Sequence, residues 1–396
     1  MPTIVDPAVQ LGGAWTATRA IVNLLRVAPF GAEVVVVRSP VRSWTAHRVR
    51  RYVALGQSLV SGRPAKFQFS YSREMLAEMN RLVAEKTFDL ILLNGSDLLW
   101  MLPHLPAGVP QVLLAHNIEH LLYADQIEDR FPKAGLRKSW LKQDGERLRQ
   151  HEHAGMQTVG NVLFLSREEE AYARRECPGL RTITVPPLFE AGAVRRPAAL
   201  DSIDDGGVME IGMLANFEWW PPQQGLRWFL REVFPQVKGP VRLHLFGKRS
   251  QDVTPDDERI VKHGYAPELD AVWSMCHFMI CPVLAGTGVS IKLAEAVCRG
   301  VPVLATRYAT RGLPLEADAA IVLREAAEEW VEFLNSGAAR ELRWRSPAPH
   351  LAERFHPQSH VAGITEFLRQ AGVLKAGCDR KNGPPGGKSP SGPVGQ

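Results

Sequence analysis

Short runs of consecutive apolar residues alternate along this chain with stretches in which apolar positions recur every three or four residues. Residues 3–6 read as a strand running into a loop that holds Gly12 and Gly13, then a helix over 14–27. The valine-rich run 32–38 reads as a buried strand, and 41–70 shows little periodicity. A helix is predicted over 72–86 and strands over 88–94 and 111–115, the second delivering His116-Asn117 into a loop. A helix from 136 to about 154, a strand at 162–166, a helix at 168–176 and a strand at 182–185 complete the first half. Continuous apolar strands between helices indicate a parallel sheet covered on both faces.

Residues 191–207 turn to Ala, Arg, Pro, Asp and Gly and read as a linker. The alternation then restarts. Strands are predicted at 208–213, 241–246, 260–263, 278–282 and 301–305, and helices at 225–233, 268–275, 289–299, within 325–345, and at 357–371 with Gly372 as the stop. The expected fold class is α/β, with two doubly wound Rossmann-like domains facing a central cleft. The expected divisions are a first domain over 1–190, the linker, a second domain over 208–350, and a helical segment at 351–375 that packs back on the first domain. A Gly- and Pro-rich disordered tail is expected at 376–396. Ligands of such sheets bind beyond the carboxyl ends of the strands, and with two halves the site falls between them.

The 396 residues suit two ordinary domains, and 45% apolar with 22% charged residues excludes a wholly disordered chain, a coiled coil or a collagen. No apolar run approaches the ~20 residues that cross a bilayer, and no basic segment with an apolar core opens the chain. Five cysteines with no Cys-x-x-Cys spacing support neither a disulfide framework nor a zinc finger, so a reducing cytoplasm is the expected compartment. The net charge of +5 comes without a block of like charges, so no nucleic-acid partner is expected. A basic balance does suit an anionic substrate, or peripheral association with an anionic inner membrane face.

The most informative stretch runs from Cys281 to Thr306. A strand ends near Pro282, Gly286 and Gly288 form a turn, and a helix begins. The glycines let backbone N–H groups approach a ligand, and the helix N-terminus favours an anion. Thr287 and Ser290 add hydroxyls, Lys292 in the first turn reaches a phosphate, and Glu295 three residues on shares its face. A carboxylate there suits two vicinal ribose hydroxyls. An ordinary strand–turn–helix with a surface Lys–Glu pair fits the same letters. The stretch is neither a dinucleotide fingerprint, having Ile291 at the third glycine position, nor a Walker loop.

This stretch resembles the nucleotide-sugar-binding segment of retaining GT-B glycosyltransferases of family GT4 (glycosyltransferase group 1). Its form is that of the subgroup reading Gly-Thr-Gly-Val-x-x-Lys-x-x-Glu-Ala. Further similarity lies in Gly212-Met-Leu-Ala-Asn-Phe-Glu-Trp-Trp-Pro-Pro, in His263-Gly-Tyr-Ala-Pro-Glu-Leu, in Gly12-Gly13 and in His116-Asn117-Ile118-Glu119. The resemblance implies an acceptor-binding first domain and a nucleotide-sugar-binding second domain. It implies that Gly286, Thr287, Gly288 and Lys292, with Val289 and Ser290 beside them, hold the diphosphate. Glu295 would bind the ribose and Tyr265 would face the base. Gly12 and Gly13 would close over the sugar phosphate, and His116 with Asn117 would lie near the transferred sugar, making His116 and Lys292 the candidate catalytic residues. The implied partners are a nucleotide diphosphate sugar and a glycan or lipid-linked acceptor, without a cofactor. The sequence departs from the pattern at Thr287, where many members carry the first of two glutamates, and in the loop 215–224, which has no basic residue; Lys248 or Arg249 are the available substitutes.

Read from residues alone, His116 is equally a loop cap or a satisfied core histidine. His151-Glu152-His153 has a metal-like look, but positions i and i+2 of a helix do not share a face. No Asp-x-Asp pair occurs, so a metal-independent site is expected. Trp219-Trp220 fit core packing better than a cleft wall. Three rival readings stand beside the transferase: a silent GT-B protein that partners another transferase, a nucleotide-sugar epimerase of the same fold, and a dinucleotide oxidoreductase. The last lacks the glycine fingerprint and an acidic end to its second strand.

Overall fold

The computed structural model describes residues 13–27, 29–37, 48–190, 192, 207–253, 256–266 and 268–374. The strand expected at 3–6, Gly12, most of the linker 191–207 and the tail 376–396 lie outside them.

Two parallel sheets organise the described residues. In the first, β1 (Ile91–Asn94), β2 (Gln111–Ala115), β3 (Asn161–Phe164) and β4 (Arg181–Thr184) pair in that order. The second contains β5 (Met209–Leu214), β6 (Val241–Phe246), β7 (Ile260–Gly264), β8 (Phe278–Cys281), β9 (Val303–Ala305) and β10 (Ile321–Leu323). Its order is β10-β9-β8-β5-β6-β7, so the winding reverses between β5 and β8.

Strand alternation sorts the first domain's core. Leu93, Leu113 and Val162 face Met75, Met79 and Met156 of one helical layer. Leu92, Leu114 and Leu163 face the opposite layer, made by Ile21 and Leu24 of the helix Gly13–Arg26 and by Ile364, Phe367 and Leu368 of the helix Val361–Gln370. The last described helix therefore returns to the first sheet. Each large aliphatic or aromatic side chain buried in this way contributes about 1.5–3 kcal/mol.

Three expectations meet a different structure. Among the described residues, 32–37 form no ladder hydrogen bonds. Their side chains do alternate, with Val35 and Val37 on one cluster and Ala32 and Val34 on the other. The segment they would pair with, 3–6, lies outside the described residues. The weakly periodic stretch 41–70 contains the helices Arg48–Ser61 and Ala65–Ser70. The first buries only a small stripe, Ala54 and Ser58 with Arg51 and Leu55 half-buried, while larger apolar residues face outward, so no single amphipathic period stands out. The loop expected after His116 gives way within three residues to the helix Glu119–Arg130, whose buried set includes a polar His120.

In the second domain the helix Trp220–Trp228 starts five residues before the expected 225, with Pro221 and Pro222 in its first turn, where proline is tolerated. Gly225 lets this helix lie against the end of β8: a Cβ there would meet the Pro282 carbonyl oxygen at 2.0 Å. Helix propensity alone makes Gly225→Ala stabilising by about 1 kcal/mol. The backbone contact reverses the sign, and we expect a loss of about 1–3 kcal/mol, as for overpacked cores. Chemical denaturation checks this, and an unchanged or raised midpoint would contradict the close approach.

Candidate functional site

β8 ends beside β5 at the reversal of strand order, where ligand crevices form in wound sheets. The loop 282–290 follows and opens the helix Ile291–Cys298. That helix has no side-chain cap at Ser290 and no acidic residue in its first turn, so its N-terminus retains its attraction for an anion. Gly286 and Gly288 hold φ of 112° and 80°, a region that L side chains rarely adopt. Space requires them as well: a Cβ on Gly288 would lie 2.4 Å from Asn117 Oδ1 and 2.9 Å from the His116 carbonyl oxygen. The glycine turn of the second domain is thus pressed against the His116-Asn117 loop of the first.

Cross-domain hydrogen bonds hold it there. The Gly288 N–H donates to Glu169 Oε1 at 2.8 Å, and the Ile118 N–H donates to the same oxygen at 3.0 Å. Gly286 N–H donates to Asp125 Oδ2 at 3.3 Å, and Trp220 Nε1 donates to Asp129 at 2.6 Å. The Gly286 carbonyl accepts from Arg311 Nη2 at 2.8 Å and from the Tyr308 hydroxyl. Two of the glycine-turn amides expected to face a ligand are therefore taken by carboxylates of the other domain, and the anion-accepting end narrows to the helix start at 289–292.

A cavity of about 980 Å³ lies between the domains. His116, Asn117, Tyr265, Gly286, Thr287, Gly288, Val289, Ser290, Lys292 and Glu295 all line it. Gly12 lies outside the described residues, and Gly13 begins a helix whose Trp15, Thr16, Arg19 and Asn23 line the cavity instead. Five cations, Arg19, Lys248, Lys292, Arg299 and Arg311, face two carboxylates, Glu190 and Glu295, so the lining favours an anion. Lys292 Nζ sits 2.7 Å from Glu295 Oε2, and Glu295 is buried, so this is not the surface pair that the plain reading allowed. Lys248 reaches the lining, where it pairs with Glu218 at 2.8 Å; Arg249 pairs instead with Asp252 at 2.7 Å.

His116 follows β2. Its Nε2 lies 2.7 Å from Asn94 Oδ1, which also accepts from Thr18. An amide oxygen only accepts, so on this amide assignment Nε2 carries the proton. Nδ1 is left a buried lone pair without a hydrogen-bond partner among the described residues. Burial pulls the imidazole down to about 4, against the opposing pull of Glu119, so the ring is neutral near pH 7. It is satisfied on one side only, unlike a plain core histidine.

The His151-Glu152-His153 run is a scaffold. Glu152 is fully buried and accepts from the Glu119 and His120 N–H groups and from His120 Nδ1, capping a helix that has no cap of its own. His151 turns away to the Arg147 carbonyl. Among the described residues no group of His, Cys, Asp and Glu is arranged to hold a metal.

Sequence reasoning did not find Arg19, Asp125, Glu169 or Arg311. Trp15, Arg19 and Asn23, spaced by four on the helix Gly13–Arg26, were the one available signal. Nothing local marks the other three.

Residues 209–373, the second sheet through the final helix, match the family model for Glycosyl transferases group 1. No curated protein matches the chain. Sucrose-phosphate synthase from Thermosynechococcus elongatus is similar in structure, with a TM-score of 0.62 and 16% identity over 93% of this chain and 98% of that one. Anabaena HepE in complex with UDP and glucose gives 0.59 and 15% identity over 93% and 99%. WaaG, a glycosyltransferase involved in lipopolysaccharide biosynthesis, gives 0.55 and 13% over 95% and 99%. These likenesses span both domains and establish the GT-B fold.

Burial pushes the Glu169 carboxyl up to about 7, its two N–H donors opposing this only in part. Since the unfolded value is 4.5, the folded protein binds more protons between these limits. The stability that Glu169 contributes is present below 4.5 and is lost as pH rises through 7. His116 acts in the opposite sense, its folded value lying below 6.5. Wild type minus Glu169→Gln isolates the first effect. We expect that stability difference to fall by about 1–3 kcal/mol between pH 4.5 and 7, measured by denaturant unfolding. A flat difference would remove the buried carboxyl from the titration.

Proposed function

We propose that this protein is a glycosyltransferase of GT4 type that moves a sugar from a nucleotide diphosphate sugar to an acceptor hydroxyl. Transfer proceeds with retention and without a metal, in glycan, polysaccharide or glycolipid assembly. The reading is carried by one observation: an uncapped helix start with Lys292 and Glu295 opens onto a cation-rich cavity between two domains, within the stretch matching Glycosyl transferases group 1.

In this reading the diphosphate lies against the amides of 289–292 and Lys292, and Glu295 takes the ribose hydroxyls. Tyr265, half exposed after β7, covers the base. The bond from the sugar's anomeric carbon to the phosphate oxygen breaks, and its electron pair leaves with the nucleoside diphosphate. The acceptor oxygen bonds to that carbon and passes its proton to an oxygen of the leaving diphosphate. An oxocarbenium-like transition state asks the protein to stabilise the leaving diphosphate and to exclude water. The positive helix end and Lys292 supply that charge without an Asp-x-Asp metal grip, which the sequence lacks. His116 stands on the sugar side of the cleft, its protonated Nε2 held by Asn94. Gly12 and Gly13 keep their assignment over the sugar phosphate as part of this proposal. The acceptor is a glycan or lipid-linked hydroxyl at the inner face of the membrane.

Lys292→Ala should weaken nucleotide diphosphate binding about ten- to a hundredfold, the worth of a hydrogen bond to a charged group, with the fold intact. Calorimetry with UDP, GDP, ADP and TDP measures this, and equal affinities in mutant and wild type would take Lys292 out of the site. Turnover of a nucleotide diphosphate sugar should persist in EDTA; loss restored by Mg²⁺ would rule out the metal-independent reading.

His116→Ala should lower kcat and kcat/KM together by about 10²–10⁴-fold and leave nucleotide affinity near wild type. A purely structural histidine would lower the melting temperature and yield while folded molecules turned over normally.

A further inference from the structure

We infer that Arg19, on the helix Gly13–Arg26 of the first domain, is a further catalytic residue. Its guanidinium takes the phosphate attached to the sugar and stabilises the leaving diphosphate from the first-domain wall, while Lys292 acts from the second. The inference rests on the glycosyl-transfer reading and names a cation which that reading leaves unassigned.

Packing sets the position. Ala17, Ile21 and Leu24 of this helix are buried in one apolar cluster with Ile291, the first residue of the helix Ile291–Cys298. The two helices therefore meet where the anion-facing helix begins. Arg19 stands about half a turn round from both Ala17 and Ile21, on the side away from that cluster. With Trp15 one turn before it and Asn23 one turn after it, Arg19 lines the cavity between the domains. The helix begins at Gly13, in the loop that the transferase reading places over the sugar phosphate. A cation on this helix therefore serves the phosphate on the sugar side.

Charge singles Arg19 out among the five cations of the lining. Lys248 pairs with Glu218 at 2.8 Å, Lys292 with Glu295 at 2.7 Å and Arg299 with Asp270 at 3.2 Å. Arg311 donates to the Gly286 carbonyl at 2.8 Å and to the Tyr308 hydroxyl at 2.6 Å. The loop 215–224 contributes no basic residue. Arg19 alone has neither a carboxylate nor a hydrogen-bond acceptor among the described residues. A guanidinium without a partner has no bond to give up when a phosphate arrives, and its planar fork matches two phosphate oxygens. Charge builds on the diphosphate as the anomeric bond breaks, and one ammonium group shared with a carboxylate meets only part of it.

The test is calorimetry on wild type, Arg19→Ala, Arg19→Lys and Arg26→Ala. The probes are UDP, GDP, ADP and TDP, the monophosphate matching the tightest of them, and inorganic diphosphate. Arg26 is exposed on the same helix outside the cavity lining, so its variant controls for net charge. Arg19→Ala should weaken the nucleoside diphosphate about tenfold or more and leave the monophosphate within about twofold. Arg19→Lys should recover part of the loss, and Arg26→Ala should match wild type. Turnover of the nucleotide diphosphate sugar by Arg19→Ala should fall about 10²–10³-fold, with far-UV dichroism unchanged. Equal nucleoside diphosphate affinity in Arg19→Ala and wild type would overturn the inference and leave the transferase reading standing. So would an equal loss for the monophosphate, or a higher acceptor KM as the sole change. A wild type that binds inorganic diphosphate through Arg19 but none of the nucleotides would instead sink the transferase reading and keep Arg19 as a diphosphate ligand.

Discussion

One carboxylate oxygen joins the two halves of this molecule. Glu169 Oε1 accepts an N–H from Ile118, next to the His116-Asn117 loop, and another from Gly288, in the turn that starts the anion-facing helix. Because both donors are backbone groups, the acceptor fixes main chain to main chain across the cleft. The side chain is buried, and its second oxygen has no hydrogen-bond partner among the described residues. An ionised carboxylate so placed is costly, which is why burial raises its proton affinity. The contact survives that cost because no side chain on Gly288 keeps the turn away from the first domain. The spacing between His116 and the helix start follows from it.

The cleft then divides its electrostatic labour. On one side a neutral imidazole faces the cavity, and on the other an uncapped helix end stands with Lys292. Lys292 already has a partner in Glu295, so an arriving phosphate competes with a buried carboxylate for the ammonium group. In the transferase reading the ribose hydroxyls relieve this competition, since they donate to Glu295 as the phosphate takes the lysine. A ligand bearing both groups gains more than one bearing either alone, which favours a nucleotide over inorganic diphosphate.

What was legible in the sequence was local. The run from Cys281 through Gly286, Gly288 and Lys292 to Glu295 writes strand, turn, helix and charge pattern into one short stretch, and these five residues all reach the cavity. Strands such as Gln111–Ala115 and Val241–Phe246 were readable because both of their faces are buried. What was illegible depends on distant partners. Asp125 meets Gly286 across 161 positions and Glu169 meets Gly288 across 119, and no spacing rule connects them. The valine run 32–37 is another case: it forms no ladder among the described residues, and its expected neighbour 3–6 lies outside them, so strand composition alone does not supply a partner. The helix Arg48–Ser61 was hidden by its own outward apolar face, which blurs the period that identifies a helix.

Polar ties on its inner face connect this helix to the site. Ser58 and the Ala65 N–H both bond Asp144 on the long helix Leu136–Val159. Two turns further along that helix, Glu152 caps the helix that follows the His116 loop. Lys66, one residue on from Ala65, pairs with Glu119, which accepts from Asn117. Each link is a buried or half-buried polar contact, and buried polar groups hold their geometry because an unmade bond costs more than a made one gains. These contacts join the helix Arg48–Ser61, the helix Leu136–Val159 and the His116 loop into one unit. The helix start with Lys292 belongs to the other domain and meets this unit across the Glu169 contact and its neighbouring bonds to Asp125 and Asp129.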